Sequence, residues 1–291
     1  MPLLGATWMI LAGISFAIVN TLTQYVSYKM QMPSTSVAFF QYFIALIFMS
    51  PMLLKMGGIN LLKTKHFPTH LLRVFLSVIG VQLWIWALSY PVPIWQAIAL
   101  VMISPLFATV GAGLFLGEHI GTARWLATIA GFFGAMLILE PWSDNFSWAT
   151  LLPVGAAFFW ACYSLMVKKL SHEDSPSTMT IYLLLLISPF NLVLALPEWT
   201  MPATHTVWLL LIATGACSAF ANWAIANAYN VADASFVQPF DHAKLFFNVL
   251  AGWIVFGWVP PGRLWLGAAI IIGAVAFITQ HEYKLSREQK S

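Results

Sequence analysis

Long apolar runs, each about as long as one membrane crossing, dominate this chain. A helix needs about 20 mainly apolar residues to cross the hydrocarbon core of a bilayer. Ten such runs, separated by short polar segments or by Pro and Gly, lie at residues 3–25, 34–54, 70–89, 94–116, 123–139, 148–167, 177–196, 206–229, 234–258 and 263–280. The pattern therefore predicts an all-α membrane protein with ten transmembrane helices.

The composition excludes a soluble protein. Of the 291 residues, 60% are hydrophobic and 8% are charged, whereas ordinary globular domains carry about 25% charged residues. The formal net charge of +3 comes from scattered basic residues, which form no stripe that could follow a nucleic-acid backbone. Because Cys162 and Cys217 each lie inside an apolar run, we expect no disulfide framework and no cysteine metal site, and we predict no cofactor.

The basic residues predict the orientation of the spans. The first apolar run lacks a basic flank and is too long for a cleaved signal peptide, so we expect a retained first helix. With a cytoplasmic N-terminus, the outer segments hold Lys29 and Arg263, whereas the inner segments hold Lys55, Lys63, Lys65, Arg73, Arg124, Lys168, Lys169, Lys284, Arg287 and Lys290. The positive-inside rule then places both termini, including a tail over residues 282–291, in the cytoplasm.

The two halves of the chain resemble each other. Trp84-x-x-Ala87-x-x-Tyr90 recurs as Trp223-x-x-Ala226-x-x-Tyr229, and Trp125-Leu126 recurs as Trp265-Leu266. These matches predict two repeats, residues 1–140 and 141–281, of five spans each. Because five is odd, the second repeat is inserted upside down, and such inverted repeats are typical of alternating-access transporters.

At this point the chain resembles the drug/metabolite transporter superfamily, EamA type. The resemblance rests on the ten spans, the Ala-x-x-Tyr signature and Leu116-Gly117-Glu118 after span four, although the second half shows Phe256-Gly257-Trp258 instead. It implies a basket of helices around a central substrate cavity. Within the superfamily the chain is most similar to bacterial inner-membrane exporters of aromatic and other amino acids.

Span nine carries a polar stripe. Gln238, Asp241 and Lys244 share one face of the predicted helix, and the two charged residues are three positions apart. One interpretation is that Asp241 and Lys244 bind the two ends of a zwitterion; the other is a structural ion pair that locks helix packing. His242 could carry a coupling proton, but a packing role is favoured for a lone histidine.

Further polar residues and tryptophans inside the spans complete the predicted substrate site. Interhelical hydrogen bonds would explain any one of them without a substrate, but together they predict polar walls with interleaved aromatic rings. Two prolines predict helix breaks at matching depths in the two halves, Pro105 and Pro239. The substrate-binding candidates outside span nine are Asn20, Gln24, Gln82, Trp86, Trp160, Ser164, Trp223 and Asn227.

These features predict a secondary transporter that exports amino acids. The alternative is a carrier for another metabolite, such as a nucleotide-derived or sugar solute, or an uptake carrier. A channel, a retinal protein and an enzyme are less favoured, since the chain has an inverted repeat and lacks His-Glu-x-x-His, Gly-x-Ser-x-Gly and Walker A motifs. The predicted partners are lipid and a small solute.

Small residues four positions apart in spans five and ten predict close helix packing, either within the fold or in a homodimer. They are Ala127-x-x-x-Gly131-x-x-x-Ala135 and Ala269-x-x-x-Gly273.

Overall fold

Helices account for nearly all of the described chain. A computed structural model describes residues 2–55, 63–115, 117, 120–144, 146–170, 173–232, 237 and 240–288. A short π-helical segment, Tyr25–Lys29, extends the first helix. The helices are α1 Pro2–Gln24, α2 Ser34–Lys55, α3 Phe67–Leu88, α4 Ile94–Val101, α5 Ser104–Phe115, α6 Thr122–Leu139, α7 Leu151–Leu170, α8 Pro176–Ala195, α9 His205–Val231, α10 Ala243–Phe256 and α11 Gly262–Glu288.

The predicted fold class is confirmed. Nine segments of the described chain are long and apolar enough to cross a membrane, and α10 is a shorter apolar helix of 14 residues. In the predicted ninth span, residues 234–236 and the two candidates Gln238 and Pro239 lie outside the described residues. No strand occurs in the ranges given above.

The fourth span is divided into two helices. α4 ends at Val101 and α5 begins at Ser104, immediately before Pro105. Proline has no N–H to continue the hydrogen-bond ladder of a preceding helix, so a helix break just before it is expected. The break lies at Met102 and Ile103, about halfway along the span.

Spans four and nine are both followed by a glycine with a positive φ, which supports the internal repeat. Gly117 follows α5 with a φ of 66°, and Gly257 follows α10 with a φ of 72°. This left-handed conformation is accessible to glycine without the steric cost that other residues meet. At Gly257 the N–H donates to the Trp253 carbonyl at 2.9 Å, which closes the last turn of α10.

Helix packing is also symmetric between the halves. α1 packs on α9 and α10, while its counterpart α7 packs on α3 and on the divided fourth span. In the same way α2 packs on α9, and α8 packs on α3. The remaining major pairs, α2 with α8 and α6 with α11, join equivalent helices of the two halves. Two similar halves of opposite direction therefore enclose a shared centre.

Close packing of α6 on α11 depends on small residues. A Cβ on Gly134 would lie 2.8 Å from the Gly267 carbonyl oxygen, and a Cβ on Gly131 would lie 3.2 Å from the Ala274 Cβ. The Gly131 stripe thus packs within the chain. Gly273 faces open space, because apart from its own helix backbone and chain neighbours no described atom lies within 4 Å of its ideal Cβ position. The homodimer stays a prediction.

Candidate substrate cavity

A cavity of about 290 Å³ lies between the two halves near the middle of the spans. It is bounded by α1, α2, α3, α4, α7, α8, α9 and α10. The residues that line it are Phe16, Val19, Asn20, Gln41, Tyr42, Ser77, Val81, Trp84, Ile98, Val101, Trp160, Leu183, Ile187, Ser218, Asn222 and Lys244. The wall is thus a mixture of aromatic, aliphatic and hydrogen-bonding groups, with both halves contributing.

Two tryptophans form part of the aromatic wall. The ring centroids of Trp84 on α3 and Trp160 on α7 are 6.3 Å apart, with 47° between the ring planes. Gly80, one turn before Trp84, makes this arrangement possible, because a Cβ there would lie 2.6 Å from the Trp160 Nε1. The indole of Trp160 therefore packs against the α3 backbone at a position where any larger residue would displace it.

An amide network joins α1 and α10 on the polar side of the cavity. Asn20 Nδ2 donates to Asn248 Oδ1 at 2.9 Å, and Asn248 Nδ2 donates to the Lys244 carbonyl at 2.7 Å. On α2, Gln41 Oε1 accepts a hydrogen bond of 2.9 Å from the Thr23 hydroxyl. These bonds satisfy groups that would otherwise be costly to bury, and they hold Asn20 and Gln41 at the cavity wall.

The charged pair predicted on span nine is present. Lys244 Nζ donates to Asp241 Oδ2 at 2.6 Å, with 25% of the lysine side chain and 33% of the aspartate side chain exposed. Lys244 lines the cavity. His242 lies partly buried beside this pair, and its Nδ1 has no hydrogen-bond partner among the described residues.

Gln24 and Gln82 do not line the cavity but join helices elsewhere. Gln24 Nε2 donates to the Val92 carbonyl at 2.8 Å in the segment before α4, and Gln82 Nε2 donates to Asn191 Oδ1 at 2.7 Å. For these two residues the interhelical interpretation fits, because each amide nitrogen donates a hydrogen bond to a neighbouring segment.

Trp86, Trp223, Asn227 and Ser164 also lie outside the central cavity. Trp86 is 43% exposed and contacts Trp148 edge to face at 5.6 Å. Trp223 is 39% exposed and packs on Trp8, and Asn227 donates to the Trp223 carbonyl. Ser164 lines a separate pocket together with Pro105. Of the candidates in described positions, the structure brings Asn20, Trp160 and Lys244 together at the cavity, with Asp241 bonded to Lys244.

Several lining residues were missed by the sequence interpretation. Gln41 and Tyr42 form a polar pair within the apolar second span, and Ser218 and Asn222 lie one turn apart on span eight. Both signals are visible in the sequence. On span eight, however, the sequence interpretation predicts Trp223 and Asn227 as substrate-binding residues. In the structure the helix face that carries them points away from the cavity.

A second polar cluster, which the sequence interpretation also missed, ties the halves together on the face that carries the termini. We call it the terminal-face cluster; it contains Thr64, His70, Arg73, Tyr163 and Asp174. His70 Nε2 contacts Asp174 Oδ2 at 2.9 Å, and Thr64 donates to the same oxygen at 2.7 Å. The Arg73 guanidinium donates to His70 Nδ1 at 2.9 Å, which leaves the ring proton on Nε2 facing the carboxylate.

Arg73 was counted as an inner-loop charge, and the structure instead buries it completely. Besides His70, its guanidinium donates to the Met179 carbonyl at 2.6 Å and to the Tyr163 hydroxyl at 3.4 Å. A buried charge is tolerated when its donors are satisfied in this way. The cluster thereby connects α3 in the first half with α7, α8 and the segment between them in the second.

The described helices, the symmetric packing and the central cavity define a multi-pass membrane carrier. The chain belongs to the EamA-like transporter family, whose pattern matches residues 3–140 and 147–280. The resemblance to EamA-type drug/metabolite transporters is therefore confirmed, and the protein is a transporter and not an enzyme.

Individual relatives cover almost the whole chain. A riboflavin transporter of Vibrio cholerae serotype O1 is 67% identical, covering 100% of this chain and 97% of the relative. A riboflavin transporter of Rhizobium johnstonii is 49% identical, covering 98% and 93%. A crystal structure with 18% identity aligns over 99% of this chain and 98% of its own with a TM-score of 0.61, which shows the fold alone.

The predicted export of amino acids is wrong, because the relatives with 67% and 49% identity are riboflavin transporters. The alternative prediction, a carrier for another small metabolite, agrees better with them. The physical reason for the error is that aromatic and amide side chains around a cavity suit many amphipathic solutes and do not identify one.

Proposed function

We propose that this protein is a riboflavin carrier of the bacterial inner membrane, with both termini cytoplasmic, that works by alternating access through the central cavity. The observation that carries the proposal is the 67% identity over the whole chain to a riboflavin transporter. An identity this high supports riboflavin as the transported solute, in addition to membership of the family.

The chemistry of the cavity supports this solute. Riboflavin has a planar, largely apolar isoalloxazine ring system and a ribityl chain with several hydroxyl groups. Trp84, Trp160 and Tyr42 provide flat aromatic surfaces, while Asn20 and Gln41 provide amide groups on the wall. Ring stacking contributes about 0.5–1.5 kcal/mol per aromatic pair beyond area burial, and the amides can exchange hydrogen bonds with ribityl hydroxyls.

The direct test is transport by purified protein in proteoliposomes. We expect saturable accumulation of labelled riboflavin that excess unlabelled riboflavin suppresses and that tryptophan or phenylalanine does not. Protein-free liposomes supply the background rate. Absence of saturable riboflavin flux in vesicles that hold folded, monodisperse protein would refute the proposal.

The same vesicles test His242 as the proton-coupling residue. Riboflavin uptake is measured while a pH gradient is imposed and then collapsed, and the natural protein is compared with His242→Gln.

A cavity variant links the flux to the site. Trp160→Ala removes one aromatic surface, so we expect the KM for riboflavin to rise about 2- to 12-fold, the equivalent of one stacking contact. Trp142→Ala is the matched control, because Trp142 is 64% exposed in the segment between α6 and α7. Equal KM values for the two variants would place riboflavin outside this cavity.

A further inference from the structure

The part of the central cavity wall that the structure describes carries almost no net charge. Lys244 is the one charged side chain among the described residues that line it. The carboxylate of Asp241 lies 2.6 Å from the Lys244 ammonium, so the pair presents a dipole instead of a positive charge.

We propose that Asp241 determines specificity: by neutralising Lys244 it makes the cavity select the uncharged flavin and reject its 5′-phosphate ester. The inference rests on the proposed riboflavin transport and adds the charge class of the accepted solute. Riboflavin is neutral near pH 7, whereas its phosphate ester carries a charge of about −1.5 to −2, as other phosphate monoesters do.

The physical basis is the cost of taking a phosphate out of water. Such an anion is accommodated in a membrane protein only when cations or oriented donors replace its hydration. Near Lys244 the attraction of the ammonium for the phosphate is opposed by the repulsion of the Asp241 carboxylate. Because the two charges are equal in size and lie close together, the attraction and the repulsion nearly cancel at the phosphate. A neutral ribityl chain does not meet this barrier.

Removing the carboxylate should convert the site into an anion acceptor. In Asp241→Asn the lysine charge is no longer balanced, and a phosphate near it gains attraction without the matching repulsion. Replacing both residues, in Asp241→Asn combined with Lys244→Met, leaves the cavity uncharged again. The double variant therefore separates the effect of charge from the effect of altered shape at position 241.

The experiment measures uptake of labelled riboflavin into proteoliposomes and its inhibition by the 5′-phosphate ester and by unlabelled riboflavin. For the natural protein we expect the ester to inhibit at least about tenfold more weakly than riboflavin does. In Asp241→Asn this ratio should fall by about tenfold or more, and in the double variant it should return to the original value. Asp144→Asn, an exposed aspartate between α6 and α7, is the matched control and should leave the ratio unchanged.

Two results would overturn the inference. One is inhibition of the natural protein by the ester as strong as inhibition by riboflavin, which needs no variant and so does not depend on variant folding. The other is an unchanged ratio in folded Asp241→Asn protein. Either result leaves riboflavin transport standing, whereas absence of riboflavin uptake by the natural protein would refute the proposed function itself.

Discussion

Gly80 positions the aromatic wall of the cavity. A side chain at this position has no room, because its Cβ would lie 2.6 Å from Nε1 and 2.7 Å from Cδ1 of the Trp160 indole. Both atoms belong to a rigid ring, so the whole indole must move if a methyl group is added. The position of Trp160 in the cavity thus depends on the absence of a side chain on the neighbouring helix.

Gly80→Ala should therefore impair transport. Overpacking of this kind costs about 1–3 kcal/mol, and we expect a lower Tm in detergent and a raised KM for riboflavin. Gly273→Ala is the matched control, since apart from its own helix backbone and chain neighbours no described atom lies within 4 Å of its ideal Cβ. Thermal unfolding and uptake kinetics of the two variants check the prediction, and wild-type behaviour of both would contradict it.

At the scale of helices and their connections, the terminal-face cluster links the halves by polar contacts. Burial acts to raise the pKa of Asp174, but hydrogen bonds from Thr64 and His70 outweigh it and hold the pKa of this carboxyl below its usual value. Asp174 lies between α7 and α8, and its side chain is 11% exposed. The cluster therefore favours the ionised carboxylate in the folded protein.

The stability of the protein should fall in acid for this reason. A depressed pKa contributes stability in full above the pKa of an unfolded aspartate, about 3.9, and the contribution is lost as the pH falls through the lower pKa of the folded state. We expect Asp174→Asn to lower the Tm at pH 7 and to weaken the decrease of Tm below about pH 4. Thermal unfolding across pH, with Asp144→Asn as control, measures both effects; parallel curves for all three proteins would contradict the prediction.

Helix rotation explains why the structure brings only some of the predicted residues to the cavity. Asn222 lines the cavity, whereas Asn227 lies five residues further along α9. At about 100° per residue, five residues place the second amide about 140° away from the first. α9 carries polar residues on more than one face, so the sequence marks it as polar but does not say which face points inward.

At the scale of the whole molecule, the inverted repeat fixes the direction of every loop. Five spans separate the N-terminus from the segment between α6 and α7, so that segment lies on the opposite membrane face. The proposed cytoplasmic termini follow from the distribution of basic residues. Alkaline phosphatase fused after Asp144 should then be active in the periplasm, while a fusion after Asp174, one span later, should be inactive.

A fluorescent protein fused to the C-terminus completes this measurement. It should fluoresce, because ten spans return the chain to the starting face and folding of the reporter takes place in the cytoplasm. Activity of the phosphatase at Asp174 together with loss of activity at Asp144 would reverse the proposed orientation. Activity at both positions would contradict the ten-span arrangement.

The sequence by itself determined the span number, the internal repeat and the transporter family. Each depends on a requirement that can be read along the chain: about 20 apolar residues cross a bilayer, and the repeated Trp-x-x-Ala-x-x-Tyr motif and Gly117 with Gly257 recur at nearly one offset. The sequence also predicted the Asp241 and Lys244 pair, since residues three positions apart on a helix share a face.

Only the tertiary structure decided which polar groups meet. Arg73 looks like an inner-loop charge in the sequence, yet it is fully buried by partners about 90 to 106 positions away, Tyr163 and Met179. Gln24 and Asn20 belong to the same span and have similar chemistry, but Gln24 bonds to the backbone before α4 while Asn20 reaches the cavity. The rotation of each helix and the approach of the two halves depend on packing between distant segments, and local patterning does not encode these contacts.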